Sequence, residues 1–120
     1  MKFVITSDFF MSQVLGGGEI NDEELVLLLR SKGFSVVKRN SHDVSVEFIR
    51  NNKDCCFIVS NFINLGADEK KELMNCQYII YEHDHKYLKN RNPGVYENFT
   101  APKSEIVNFD FYKKARRILT

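Results

Sequence analysis

Three short polar segments carry the residue types that could do chemistry in this 120-residue sequence. They are Gly16-Gly17-Gly18-Glu19, Ser60-Asn61 and Glu82-His83-Asp84-His85. Three consecutive glycines let backbone N–H groups approach a ligand closely, and ahead of a helix they suit an anion such as phosphate. No Gly-Lys-Ser/Thr follows, and the G-x-G-x-x-G spacing is absent. The run is therefore neither a Walker loop nor a dinucleotide fingerprint. His83 and His85 are two apart, so in extended backbone they share a side while Glu82 and Asp84 take the other. An imidazole there can act as a general base or as a donor to sugar or phosphate oxygens. An H-x-H pair is also half of a zinc site, but the only further histidine is His42, at the edge of the second strand. No metal is expected. Lys86, Lys89 and Arg91 read as a solvated loop face beside the histidines.

The elements around these segments alternate. FVITSDF (3–9) reads as a first strand, followed by the glycine loop. Asn21 is an N-cap with Glu24 completing a capping-box-like pair, and the helix runs through ELVLLLRSK. Leu25, Leu28 and Leu29 should form its buried face, widened by Val26 and Leu27. Gly33 supplies the stop. FSVVK (34–38) is the second strand, and Ser41 caps a short helix burying Val44, Phe48 and Ile49. CCFIV (55–59) is apolar throughout, as in a parallel strand buried on both faces. A polar helix around DEKKELMN presents Glu69, Lys70, Lys71 and Glu72 to solvent, and QYIIY (77–81) is the fourth strand. The stretch from Lys86 to Ile106 reads as a long wrapping loop, residues 108–115 as a short helix and 117–120 as a fifth strand. Phe109, Phe111 and Tyr112 are read as packing residues.

The order β-α-β-α-β-α-β specifies a three-layer, Rossmann-like α/β sandwich with a mostly parallel sheet, a single domain over residues 1–120. The preferred strand order is 3-2-1-4-5. Strands one and four are then neighbours, and the glycines and histidines face each other across the switch point at the carboxyl edge.

Composition narrows the function classes. Lys and Arg number 17 against 16 Asp and Glu. Such a balance argues against a nucleic-acid surface, which needs a basic excess. No apolar run approaches the roughly 20 residues that span a bilayer. No signal-peptide pattern precedes the first strand. Cys55, Cys56 and Cys76, an odd count in and beside strands, read as reduced buried thiols, and a cytoplasmic location is expected. Asn98-Phe99-Thr100 then reads as a chance match to a glycosylation acceptor.

The first strand, the Gly16-Gly17-Gly18-Glu19 loop and the passage LVLLLRSKGFSVV together resemble the opening of GT-B glycosyltransferases. The most similar group is the retaining, glycogen-synthase-like family 4, which carries a G-G-x-E loop and a leu–leu–x–x–gly–his–x–val passage. Phe34-Ser35 stand where that passage has histidine. YIIYEHDHKYLKNRNP and the closing KKARRILT also look like this group. The resemblance implies an N-terminal, acceptor-side domain that closes over a nucleotide-sugar donor. It implies that Gly16, Gly17 and Gly18, with Glu19, lie against the donor diphosphate and transferred sugar. It places His83, with His85 as the alternative, near the reacting centre as the catalytic contact, and the position of Asn61 and Asp84 in the polar segments after strands three and four makes them candidate substrate-binding residues. No separate cofactor is implied. A complete enzyme of this kind has a second Rossmann domain with a basic residue and paired glutamates, which these 120 residues lack. The chain alone is therefore expected to be inactive, with an acceptor not identified by the sequence.

Two other classes compete. One is a small phosphate- or nucleotide-binding, flavodoxin-like module without catalysis. A phosphoryl-accepting receiver is disfavoured, since Asp8 is present but Ser60-Asn61 occupies the position after strand three. The other is an interaction module that covers an apolar face by self-association or with a partner.

Overall fold

The computed structural model describes residues 2–10, 17–81 and 109–119. Five strands, β1 (Lys2–Ser7), β2 (Ser35–Asn40), β3 (Cys56–Val59), β4 (Gln77–Tyr81) and β5 (Arg117–Leu119), form one sheet in the order β2-β1-β3-β4-β5. Every pairing is parallel. The helices are α1 (Gly17–Ser31), α2 (Val46–Asn51), α3 (Ala67–Leu73) and α4 (Phe109–Lys114), with a 3-10 turn at Ser41–Asp43. The α/β class and the parallel sheet are as the sequence specifies, but the strand order is not 3-2-1-4-5. The apolar CFIV strand sits in the centre, buried along its length, whereas β2 carries Lys38, Arg39 and Asn40 and takes the edge. An edge strand tolerates charge that a central strand cannot.

Crossover handedness then sorts the helices. The steps β2→β3, β3→β4 and β4→β5 all run the same way across the sheet, so right-handed connections put α2, α3 and α4 on one face. The step β1→β2 runs the opposite way and puts α1 on the other. Packing follows this division. Val4, Phe57, Val59, Tyr78 and Ile80 meet Ile49 of α2, Leu73 of α3 and Phe111 of α4. Ile5, Val36 and Ile58 meet Val26 of α1, with Phe3, Leu25, Leu29 and Tyr81 around them. Tyr78 stacks on Phe111 and donates its hydroxyl to the Phe111 carbonyl at 2.6 Å, so α4 is bound by packing and by a buried hydrogen bond. Phe111 and Tyr112 are packing residues, as expected.

Local signals account for most boundaries. Gly33 has φ 88°, and the Gly33 N–H to Arg30 and Phe34 N–H to Leu29 bonds close a Schellman motif that ends α1. Two caps differ from the sequence reading. The short helix begins at Val46 and is capped by Ser45, whose hydroxyl accepts from Phe48 N–H at 3.0 Å; Ser41 instead turns inward. Helix α1 spans Gly17–Ser31, so Gly17 and Gly18 lie within it and Asn21 is inside the helix rather than its cap. The buried face of α1 is also shifted. Val26 and Asp22 are fully buried, Leu25 and Leu29 half-buried, and Leu27 and Leu28 exposed. On α3 only Lys71 is fully exposed of the four charged residues read as solvated; Glu72 is drawn in by Arg50 at 2.8 Å.

Candidate functional site

The strand order reverses between β1 and β3, and in such sheets ligands bind beyond the carboxyl ends at that point. Backbone and side chains tie the three carboxyl ends together there. Ser60 N–H donates to Thr6 O at 2.9 Å and Asp8 N–H to Asn61 O at 2.8 Å. From β2 and the turn after it, Asn40 Nδ2 donates to Asp8 O at 3.2 Å and Ser41 Oγ to Asn61 O at 3.0 Å. The Asp8 carboxylate accepts from Ile63 N–H and Asn64 N–H, both at 3.0 Å. Asp8 thus holds the loop between β3 and α3 against the end of β1. Lys70 of α3 lies near this carboxylate and over the Phe62 ring. Burial lowers its pKa, and Asp8 partly offsets the shift.

Helix α1 closes the other side of the crevice. The first backbone N–H groups of a helix have no partner within it, and the described part of α1 opens on Gly17, Gly18, Glu19 and Ile20. Side chains bulky enough to shield them are missing at the two glycines. One turn in, the fully buried Asp22 accepts from Ser60 Oγ at 2.8 Å. Ser7 follows Thr6, whose partner on β3 is Val59, so Ser7 and Ser60 end neighbouring strands on the α1 side. Ser7 Oγ is buried with no hydrogen-bond partner among the described residues. Lys38 pairs with Glu23 at 3.1 Å and fastens α1 to β2. The crevice is therefore built from hydroxyl, carboxyl and amide groups plus the amino end of a helix. That set suits a ligand with several hydroxyls and one negatively charged group.

Of the residues singled out in the sequence, Gly17, Gly18, Glu19 and Asn61 come together at this edge. Asn61 contributes its carbonyl to Asp8 and Ser41. Gly16, His83, Asp84 and His85 lie outside the described residues. The expectation that strands one and four are neighbours is corrected, because β3 lies between them. Tyr81, the last residue of β4, lies at the same edge of the sheet, two strand spacings or about 10 Å from the end of β1. Ser7, Asp22 and Ser41 were not read as site residues. Asp22 lies four residues before Val26 and so shares its buried face.

The thiols lie at the opposite edge. Cys56 opens β3, and Cys55 and Cys76 precede β3 and β4. All three are free, and burial is the main cause raising each pKa, which keeps them as neutral thiols. His42 is exposed, 3.6 Å from Asp43. Among the described residues no group of three His, Cys, Asp or Glu side chains is arranged to hold a metal ion. No described helix is long and apolar enough to cross a membrane.

Fold and crevice together define a doubly wound, all-parallel α/β domain with a polar crevice at its β1–β3 switch point. Compared with known family models, curated proteins and solved structures, the chain matches none.

Proposed function

We propose that this chain is the acceptor-side domain of a GT-B-like glycosyltransferase, and that the β1–β3 crevice binds the sugar-bearing end of a nucleotide-sugar. The observation that carries this reading is that α1 is described from Gly17 on, so that its amino end, opening on two glycines, lies at the carboxyl edge beside the switch point. A diphosphate meets the positive end of the helix there. The hydroxyls of Ser7 and Ser60 and the carboxylate of Asp22 beside them match the donor and acceptor pattern of sugar hydroxyls. The resemblance assigns His83 to the reacting centre, with Asp84 and His85 next to it. Sugar transfer then needs a second domain to grip the nucleotide and neutralise the leaving diphosphate.

A second reading rests on the strand order. The order 2-1-3-4-5 is that of flavodoxin-like domains, which bind phosphate-bearing ligands at the same switch point. A small phosphate- or nucleotide-binding module without catalysis would use the amino end of α1 alone. Calorimetric titration with nucleotide-sugars, the matching free nucleotides and inorganic diphosphate separates the two. Tighter binding of a nucleotide-sugar than of its free nucleotide supports the glycosyltransferase reading. Equal binding supports the module, and no binding of any of them contradicts both. Sugar transfer by the 120-residue chain alone would contradict the need for a second domain.

A further inference from the structure

Two apolar surfaces of this domain lack a cover among the described residues, and they are complementary. The first is the α1 side of the sheet. A parallel sheet is ordinarily covered on both faces. Five strands at about 4.8 Å spacing make a face wider than one helix of about 10 Å diameter, and α1 is the single described helix here. Its packing reaches Ile5, Val36 and Ile58. Beyond it the same face continues through Gln77, Ile79 and Tyr81 of β4, with Arg117 and Leu119 of β5 in register beside Ile79 and Tyr81. A groove of about 330 Å³ lies there, lined by Phe3, Cys56, Gln77, Ile79, Arg116 and Arg117. Its floor is apolar and its far rim is basic.

The second surface is the outward side of α1. Leu27 is 57% exposed, Leu28 52% and Ile20 37%. With the exposed Glu24 between them, they form an apolar stripe carrying one acid. This is the inverse of the groove.

We propose that two copies of this chain associate face to face, each laying the outward side of its α1 into the groove between α1 and β5 of the other. The contact is isologous, so one two-fold axis satisfies both surfaces at once. The axis runs parallel to α1, between the two helices. The pair of α1 helices then forms one layer shared by two sheets, and each sheet gains a second helix beside the one described on this face.

The register agrees along the whole length. α1 spans about 22 Å and runs from the carboxyl edge towards the amino edge. The partner's Ile20 therefore meets the level of Tyr81 and Leu119. The partner's Glu24 meets the level of Ile79 and Arg117. The partner's Leu27 and Leu28 meet the level of Phe3 and Cys56, where the groove lies. Acid meets base at mid-helix, and leucine meets the apolar floor. A second copy fits this groove better than an arbitrary helix, because the chain itself supplies the stripe, the acid and the spacing.

The test is sedimentation equilibrium on the full 120-residue chain, unmodified and in four variants. The expected species is a reversible dimer of twice the 14.0 kDa monomer. Leu28→Glu changes a side chain exposed in the monomer, so it should stay folded by circular dichroism while weakening the dimer about tenfold or more. Glu24→Arg and Arg117→Glu should each weaken it, and the two together should restore it. A monomer at every concentration would overturn the proposal, as would a dimer indifferent to Leu28→Glu. Failure of the double charge reversal to recover association would overturn the register given above.

Discussion

The two faces of the sheet are built by different rules. On the α2–α3–α4 face, three crossover helices cover five strands, and the core runs unbroken from Val4 through Phe57 to Tyr78 and Phe111. On the α1 face, a single described helix covers the strands nearest β1 and leaves Ile79 and Leu119 towards the rim. The contrast follows from topology alone, because three of the four connections step in one direction and handedness stacks them on one side. It teaches that the larger core and the polar crevice lie on opposite faces of this domain. One face holds the fold together, while the other carries the buried polar group of Ser7, Asp22 and Ser60, the glycine-started helix and the open groove.

The comparison breaks first on large-to-small substitutions. Phe57→Ala on the closed face should cost about 3–5 kcal/mol by chemical denaturation, since a fully buried aromatic is lost. Ile79→Ala on the open face should cost about 1 kcal/mol. Equal losses would mean that the α1 face is as fully covered as the other. Asp8 comes next, because it is the strut between β1 and the loop after β3. Asp8→Ala should cost about 2–3 kcal/mol, as the Ile63 and Asn64 N–H groups lose a charged acceptor. Loss within a few tenths of a kcal/mol would show that the loop stands without it.

A pH scan sharpens the same contrast. Burial pushes the Tyr78 phenol up from its ordinary 10.0 to about 12. The folded state therefore holds this proton at pH values where the unfolded chain releases it. The contribution is present in full below pH 10 and is lost as pH rises from there to about 12. The expected loss is on the order of 2 kcal/mol. Tyr78→Phe should flatten this part of the profile, and an unchanged slope in that variant would remove Tyr78 as its source.

Much of the architecture is legible in the residues. Strand periodicity, the Gly33 stop and the alternation of elements lead to a parallel α/β sheet. The strand order was legible too, but two signals had to be weighed together. CCFIV is apolar throughout and demands the centre, while SVVKRN carries two cations and demands an edge. The leucines of α1 mislead for a physical reason. LVLLL supplies apolar residues all round the helix, so periodicity cannot choose a face, and Asp22 beneath Ser60 sets the rotation. Asp22 itself is hard to foresee as buried, since an acid on the sheet side of a helix is costly without a partner, and its partner Ser60 lies 38 residues away. The start of α1 is obscured in a similar way. Glycine is a poor helix former, so a glycine run reads as loop until tertiary packing recruits it.

The central claim is that ligands meet this domain at the β1–β3 switch point, under the amino end of α1. Backbone amide chemical-shift mapping tests it most directly. On titrating a nucleotide-sugar into the labelled chain, the largest shifts should fall on the amides of Gly17, Gly18 and Glu19, with Ser60 and Asn61 next. Shifts confined to the amino edge around Cys55, Cys56 and Cys76, or spread without focus over the surface, would contradict it.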